Sequence, residues 1–325
     1  MKRKLKWATI GCGAIANEME LAMEKRGSKL YSVANRTYEK AELFANKYGI
    51  EKVYPNIEEV FEDDDVDIIY ICTPHNTHAE YIKRALKAGK HVLCEKAITL
   101  NLEELENVIR LATRNHLVLA EAMTLYHMPI YKILNQKIKS NEFGPLKLIQ
   151  MNFGSYKEYD LNNRFFNPKL AGGALLDIGI YAVSFVRWFM TSCPKEIQSQ
   201  VKLTQTGVDE QAGILLKNQE GEMATIIISL QAKQPKRGLI AFDQAYIEIS
   251  EYPRGTEAVI TYTEDGHKER IEGGKANDAL CYEIADMEQR VLSESNQMYL
   301  ELSRDVMEIM TRLRKQWKVK YPEEE

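Results

Sequence analysis

The stretch from Lys6 to Ala16 reads KWATIGCGAIA. An apolar run of strand length meets the pattern G-x-G-x-x-A, and an amphipathic segment follows at once. Gly11 permits a tight turn and Gly13 lets a pyrophosphate approach the backbone. Ala16 lets the helix close on the strand, so the helix N-terminus, with Ala14 and Ile15 in its first turn, is offered to phosphate. Such a motif is weak alone. Here it opens a βαβα rhythm, with strands expected at KWATIG, KLYSVAN, DIIYIC, KHVLCE and LVLAEA and helices over 15–26, 38–48, 76–88 and 101–115. That alternation predicts a doubly wound parallel sheet that binds a dinucleotide.

Strand ends on the carboxyl edge of such a sheet are where ligands sit. After KLYSVAN come Asn35 and Arg36, where an acid would hydrogen-bond the ribose hydroxyls of NAD. A guanidinium there suits a 2′-phosphate, so NADP is the preferred cofactor and NAD stays open. DIIYIC runs into Thr73, Pro74, His75 and, three residues on, His78. No carboxylate or further ligand stands at metal spacing, so these histidines are assigned to cofactor contact or helix capping, and no metal is expected. KHVLCE ends at Glu95 and Lys96, an acid and a base at the mouth of an apolar strand, followed by Ala97. Charged groups in that position are candidates for a site.

The 325 residues favour two domains: a dinucleotide-binding Rossmann domain over 1–123 and a substrate-binding and oligomerisation domain over 124–325. The composition, 45% hydrophobic and 28% charged with 9 Pro, is that of a globular protein and excludes a disordered chain. A net charge of -4 gives no electrostatic case for nucleic acid or an anionic membrane; the basic MKRKLK and RLRKQWKVK stretches read as solvated ends. The 5 cysteines are widely spaced without a CxxC pair, which fits reduced thiols rather than a disulfide framework. The first strand begins almost at once, and no run reaches the ~18 uninterrupted apolar residues of a membrane span, so a cytoplasmic location is expected.

Past Met123 the alternation gives way to a helix over 127–140, a strand at KLIQMNFGS, a helix over 173–190, strands over 197–204, 211–217, 222–231, 245–250 and 257–262, and helices over 279–292 and 297–315. Consecutive strands with turn signals imply an α+β domain on a mostly antiparallel open sheet. Segments such as ATIIISL are apolar at nearly every position, which predicts a sheet covered on both faces, by helices on one side and a partner subunit on the other. In GGALLDIGIYAV, Gly172 and Gly173 allow close backbone approach, while Asp177 and Tyr181 are four apart and share a helical face. Tyr156, Asn163 and Arg164 in the preceding loop are candidate substrate contacts.

GCGAIA, CTPHNTHAEYIKRALKAGKHVLCEKAIT and GGALLDIGIYAV, in that order along the chain, resemble the glucose-fructose oxidoreductase / inositol dehydrogenase / MocA (Gfo/Idh/MocA) family of NAD(P)-dependent oxidoreductases. The Asn35-Arg36 pair, AEAM followed by YHMPIYKIL, and Tyr181 where many relatives have His are most similar to the branch with dimeric dihydrodiol dehydrogenase and NADP-dependent xylose dehydrogenase. The resemblance implies hydride transfer between nicotinamide and a sugar, polyol or dihydrodiol carbinol carbon. Tyr181 is then the proton carrier, with Lys96 assisting and Asp177 orienting substrate or lysine. It also implies a homodimer or homotetramer formed through the C-terminal sheet. The family usually reads Glu-Lys-Pro where this chain has Glu95-Lys96-Ala97; without the proline, a trans Lys96–Ala97 peptide is expected. Two other functions share the frame: a dinucleotide-binding transcriptional sensor, which would be expected to lose Lys96 or Tyr181, and a redox-neutral glycoside-processing enzyme with retained NAD. Net consumption of free cofactor separates the last from a dehydrogenase.

Overall fold

In this computed structural model, residues 4–293 and 298–324 are described. The first three residues of MKRKLK and the start of the helix expected over 297–315 lie outside them. Packing divides the chain into two units, one formed by Met1–Ala122 with Leu280–Leu300, the other by Met123–Ala279 with Glu301–Glu325.

The first unit alternates β1 (Trp7–Ile10), α1 (Ala14–Lys25), β2 (Ser32–Ala34), α2 (Tyr38–Tyr48), β3 (Lys52–Tyr54), α3 (Glu58–Glu62), β4 (Ile68–Ile71), α4 (His78–Lys87), β5 (His91–Glu95), α5 (Leu102–Arg114) and β6 (Leu119–Ala122). All six strands pair in parallel in the order β3-β2-β1-β4-β5-β6. β1, β4 and β6 are buried at every residue, as strands covered on both faces must be. Strand order reverses at β1, which lies between β2 and β4. The crevice beyond its carboxyl end is the switch point where this architecture binds ligands. β3 and α3 are three and five residues long, too short to show a period.

The second unit begins with α6 (Pro129–Lys139) and β7 (Leu146–Gly154), then α7 (Ile180–Phe189) and the strands β8 (Glu196–Leu203), β9 (Asp209–Lys217), β10 (Met223–Ser229), β11 (Gln234–Phe242), β12 (Ala245–Ser250), β13 (Glu257–Tyr262) and β14 (Lys268–Glu272). They form one eight-stranded sheet, ordered β14-β13-β12-β11-β7-β10-β9-β8, antiparallel except where β7 meets β10. α7 packs on β7 and β10; it belongs to the segment Pro168–Phe189, which is long and apolar enough to match a membrane span by composition but is mostly buried inside the protein.

The two faces of this sheet differ within the chain. Ile149, Met151, Ile226 and Ile228 point into the core, whereas Leu148 and Ile227 on the opposite side are 47% and 49% exposed. Among the described residues, only one face is covered within the chain.

The chain ends with α8 (Ala279–Leu292) and α9 (Leu300–Trp317). From Leu280 onward α8 packs with the first unit, although its sequence follows the second sheet. Arg26, after α1, donates to Glu288 at 2.6 Å, and the Cys281 thiol reaches the Ala22 carbonyl.

Candidate functional site

In the first unit, the candidate site is the turn between β1 and α1. Gly11 has φ +107, and a Cβ there would lie 2.8 Å from the Cys72 carbonyl oxygen. Its N–H donates to the Ala34 carbonyl at 2.9 Å, so the ends of β2 and β4 squeeze the turn and only glycine fits. At Gly13 the situation is the reverse, since a Cβ would meet nothing within 4 Å. Gly13 caps α1 without a side-chain bond, no acidic residue stands in the first turn, and Gly13 and Ala14 are exposed. Ile15 follows half-buried, while Ala16 is fully buried against the sheet. An open, uncapped helix N-terminus with free N–H donors fits a dinucleotide pyrophosphate.

At the end of β2, the Asn35 side chain donates to the Thr37 carbonyl at 2.9 Å, which shapes the turn. Arg36 is exposed, and no carboxylate pairs with it among the described residues. Its charge opposes the upward push that burial exerts on the Tyr81 phenol. Lys40, in the first turn of α2, acts likewise on Cys12, whose thiol burial raises. Sequence reasoning missed Lys40; its signal was its place one turn beyond Arg36.

Two histidines tie the end of β4 to the end of β5. Thr73 shares a hydrogen bond with Thr77, the Thr77 hydroxyl donates to the Pro74 carbonyl, and Pro74 itself is exposed. His75 Nε2 lies 3.0 Å from the Lys96 carbonyl oxygen. His78 is fully buried, with Nδ1 2.9 Å from the Ala97 carbonyl oxygen and Nε2 2.8 Å from that of Thr73. Burial lowers its pKa, and a neutral ring donates to one of the two. His78 is thus a bracket for backbone, not a surface for a ligand. The Lys96–Ala97 peptide is cis, against the trans expectation; His75 engages the carbonyl of that peptide itself and His78 the carbonyl of the next one.

Lys96 is half-buried between anchored neighbours. Glu95 accepts from the fully buried Tyr70 hydroxyl, and the Ile98 N–H donates to Glu121 at 3.0 Å. Glu121 is 3% exposed, a buried acid in β6 that sequence reasoning quoted within AEAM without giving it a role.

In the second unit, the candidate residues are built on the Gly172-Gly173 turn. The Gly172 N–H donates to the Asn167 carbonyl at 3.0 Å and that of Gly173 to Phe165 at 2.9 Å. A Cβ on Gly172 would come within 2.8 Å of the Arg164 carbonyl oxygen, so the pair pins the loop before it. A single π-helical turn, Leu175–Gly179, then leads into α7, an irregularity frequent at functional sites. It carries Asp177, and Tyr181 follows in α7. Arg164 places a guanidinium nitrogen 3.4 Å from Asp177; their side chains are 62% and 13% exposed. Tyr181 is half-buried, its ring 6.0 Å from that of Phe153. Asn163 serves its own loop, its side-chain oxygen accepting from the Phe165 N–H at 3.3 Å. Tyr156 is 63% exposed.

One group of possible metal ligands occurs elsewhere among the described residues, Cys193, Asp305 and Glu308, but Asp305 is already paired with Arg187 at 2.6 Å.

Residues 5–123 match the family described as "Oxidoreductase family, NAD-binding Rossmann fold" and residues 131–250 the "GFO/IDH/MocA C-terminal domain". A trans-1,2-dihydrobenzene-1,2-diol dehydrogenase of Xenopus laevis is 30% identical over 329 residues, 98% of this chain and 99% of that one. A scyllo-inositol 2-dehydrogenase (NADP(+)) of Bacillus subtilis is 28% identical, with 98% of each chain covered. Two solved structures share the fold. A 3-ketoreductase from Actinomadura kijaniata, in complex with NADP and TDP-benzene, superposes with a TM-score of 0.85 at 23% identity over 96% of this chain and 98% of its own. Levoglucosan dehydrogenase, in complex with NADH and levoglucosan, gives 0.87 at 18% over 98% and 99%. A phosphate-ready turn at a topological switch point, joined in one chain to a sheet domain of this order and to full-length likeness with named dehydrogenases, has one reading: this chain belongs to the Gfo/Idh/MocA family of NAD(P)-dependent oxidoreductases.

Proposed function

We propose that this enzyme reversibly oxidises a secondary hydroxyl carbon of a sugar, polyol or dihydrodiol, and that it takes NADP in preference to NAD. The observation that carries the reading is the Asp177–Tyr181 pair at the start of a buried helix, with Arg164 3.4 Å from Asp177. The relatives' names support it, because a cyclic dihydrodiol and an inositol are both ring alcohols. The preference for NADP rests on Arg36, just beyond β2, and Lys40, in the first turn of α2, two cations without carboxylate partners among the described residues.

At the turn that Gly11 permits, Gly13, Ala14 and Ile15 would hold the pyrophosphate, Arg36 with Lys40 would take the 2′-phosphate, and Asn35, Thr73 and Pro74 would line the cofactor. When bound, the nicotinamide supplies or accepts the hydride. Tyr181 takes the hydroxyl proton in oxidation and returns it in reduction. A free phenol titrates near ~10, so the ammonium of Lys96 is assigned to favour its phenolate and to bind the same substrate oxygen. Asp177 accepts from a substrate hydroxyl, and Arg164 orients that carboxylate. The open sheet face, with Leu148 and Ile227 exposed, is assigned to a second copy of the chain.

The test is a screen of sugars, inositols and dihydrodiols with NADP and with NAD, read at the nicotinamide absorbance. Stoichiometric cofactor consumption with at least one ring alcohol is expected. Product without net cofactor change would instead indicate redox-neutral chemistry, and no turnover with any class would overturn the reading.

A further inference from the structure

Asp209, the first residue of β9, is fully buried. Its Oδ2 accepts the Leu175 N–H at 2.6 Å. Leu175 opens the π-turn that carries Asp177, so its N–H is one of the donors a helix start leaves unsatisfied, and a carboxylate is the partner the helix dipole favours there. The other oxygen explains Gly173. That glycine has φ +126, and a Cβ on it would lie 2.3 Å from Asp209 Oδ1. The carboxylate therefore occupies the space a side chain at 173 would need.

The same junction is held from another side by the chain's last residues. The Tyr321 hydroxyl, fully buried, donates to the Gly172 carbonyl at 2.7 Å. Tyr321 is itself fixed, since the Arg314 guanidinium lies 4.6 Å over its ring and bonds Glu324 at 2.6 and 2.8 Å, while the Tyr321 N–H donates to the same Glu324 at 3.1 Å. Within 172–175, four backbone groups are thus committed to Asn167, Tyr321, Phe165 and Asp209. Asp177 lies two residues beyond this clamp and Tyr181 six.

We propose that Asp209 and Tyr321 are positioning residues for the reaction, clamping the Gly172–Leu175 junction so that the side chains of Asp177 and Tyr181 stand where the substrate hydroxyl needs them. This rests on the roles given above to Asp177 and Tyr181. Misplacement of a reacting group by about 1 Å is enough to cost on the order of 10²-fold in rate, so a clamp of this kind acts on turnover more than on binding. Burial pushes the Asp209 carboxyl up to about 6 against the opposing pull of the Leu175 and Ala174 N–H groups, its own N–H and Arg314. The charged and titratable groups that act with it are Arg314 from α9, itself paired with Glu324, and Tyr321. Its charge therefore changes near pH 6, which provides a readout that a purely structural role lacks.

The experiment compares Asp209→Asn, Tyr321→Phe and Tyr181→Phe in the full chain. NADPH dissociation constants, kcat and KM for the best substrate, and the pH dependence of kcat are measured for each. Asp209→Asn and Tyr321→Phe are expected to bind NADPH as wild type does and to lose on the order of 10-fold in kcat with little change in KM. An acid limb with a midpoint near 6 should be present in wild type and Tyr321→Phe and absent from Asp209→Asn. Wild-type kcat in both folded variants, with the limb unchanged, would overturn the proposal while Tyr181→Phe remained inactive. If Asp209→Asn does not fold, Tyr321→Phe decides alone, because it removes one hydroxyl and keeps the ring under Arg314. Full activity in Tyr181→Phe would instead overturn the reading of the proton carrier.

Discussion

The Tyr70 hydroxyl donates to Glu95 Oε1 at 2.5 Å, joining the middle of β4 to the last residue of β5. Tyr70 is fully buried, and burial together with the Glu95 charge holds its phenol well above the usual range. It stays a protonated donor at any working pH, and the acid beside Lys96 keeps one orientation. Tyr70→Phe is expected to cost about 1–2 kcal/mol in urea unfolding by removing a donor from a partly buried carboxylate, and to lower turnover as Glu95 shifts. Unchanged stability would mean that Glu95 is held by its other contacts alone.

Tyr181→Phe should retain NADPH affinity and lose on the order of 10² or more in turnover, the range of a general acid/base group. Lys96→Met should fall in the same direction. Turnover near wild type in the phenylalanine variant would remove Tyr181 from the chemistry.

Arg36→Ala is expected to weaken NADPH binding by roughly 10-fold or more while leaving NADH nearly unchanged, since a charge-assisted hydrogen bond is worth about 1.5–3 kcal/mol. Lys40→Ala should act in the same sense. Fluorescence titration with both cofactors measures this, and an equal loss for the two would make these cations bystanders.

Asp209 also leaves a signature in stability. Its carboxyl titrates at about 6 in the fold, against ~3.9 in an unfolded chain. A pKa raised on folding contributes stability that is fully present below the unfolded value and is lost as pH rises through the folded one. Relative to Asp209→Asn, wild type should therefore become less stable between about pH 4 and 6, by a few kcal/mol, and level off above that. Parallel unfolding curves at pH 4.5 and 7.5 check it; a difference that does not move with pH contradicts a buried, titrating carboxylate.

The open sheet face gives a test of assembly. Ile227 stands 49% exposed on β10, remote in sequence from every residue assigned to the chemistry. Ile227→Glu is expected to shift the protein to a smaller species in size exclusion with light scattering. A wild type that is already monomeric would show that this face has another use.

The parallel sheet was readable because each strand is a short apolar run closed by a turn signal, and the G-x-G-x-x-A turn marked which end holds the ligand. β11 was not readable. Pro235, Lys236, Arg237 and Gly238 look like a loop, yet the strand pairs with both β7 and β12. The proline falls where the register with β7 is broken and no ladder donor is needed, and Gly238 is there because a Cβ would meet the Phe185 ring at 2.5 Å. β14 escaped because KERIE is an edge strand, where charges replace an apolar alternation. Within the site, the glycines, Asp177 and Tyr181 were legible as motif positions. Glu121 and Asp209 were not, because an acid in a strand reads as solvent-facing until the fold shows which backbone N–H it must satisfy.

The helix α8 carries a consequence for the order of synthesis. Leu280–Leu300 belongs to the unit that begins at the N-terminus, and on a ribosome it emerges only after every strand from β7 to β14. Until then Arg26 has no Glu288 to bond, and the nucleotide-binding half waits unfinished. Domains made of one continuous stretch complete in turn as they leave the ribosome. Here the first half to start is completed only after Met123–Ala279 of the second unit has left the ribosome, with Glu301–Glu325 still to come.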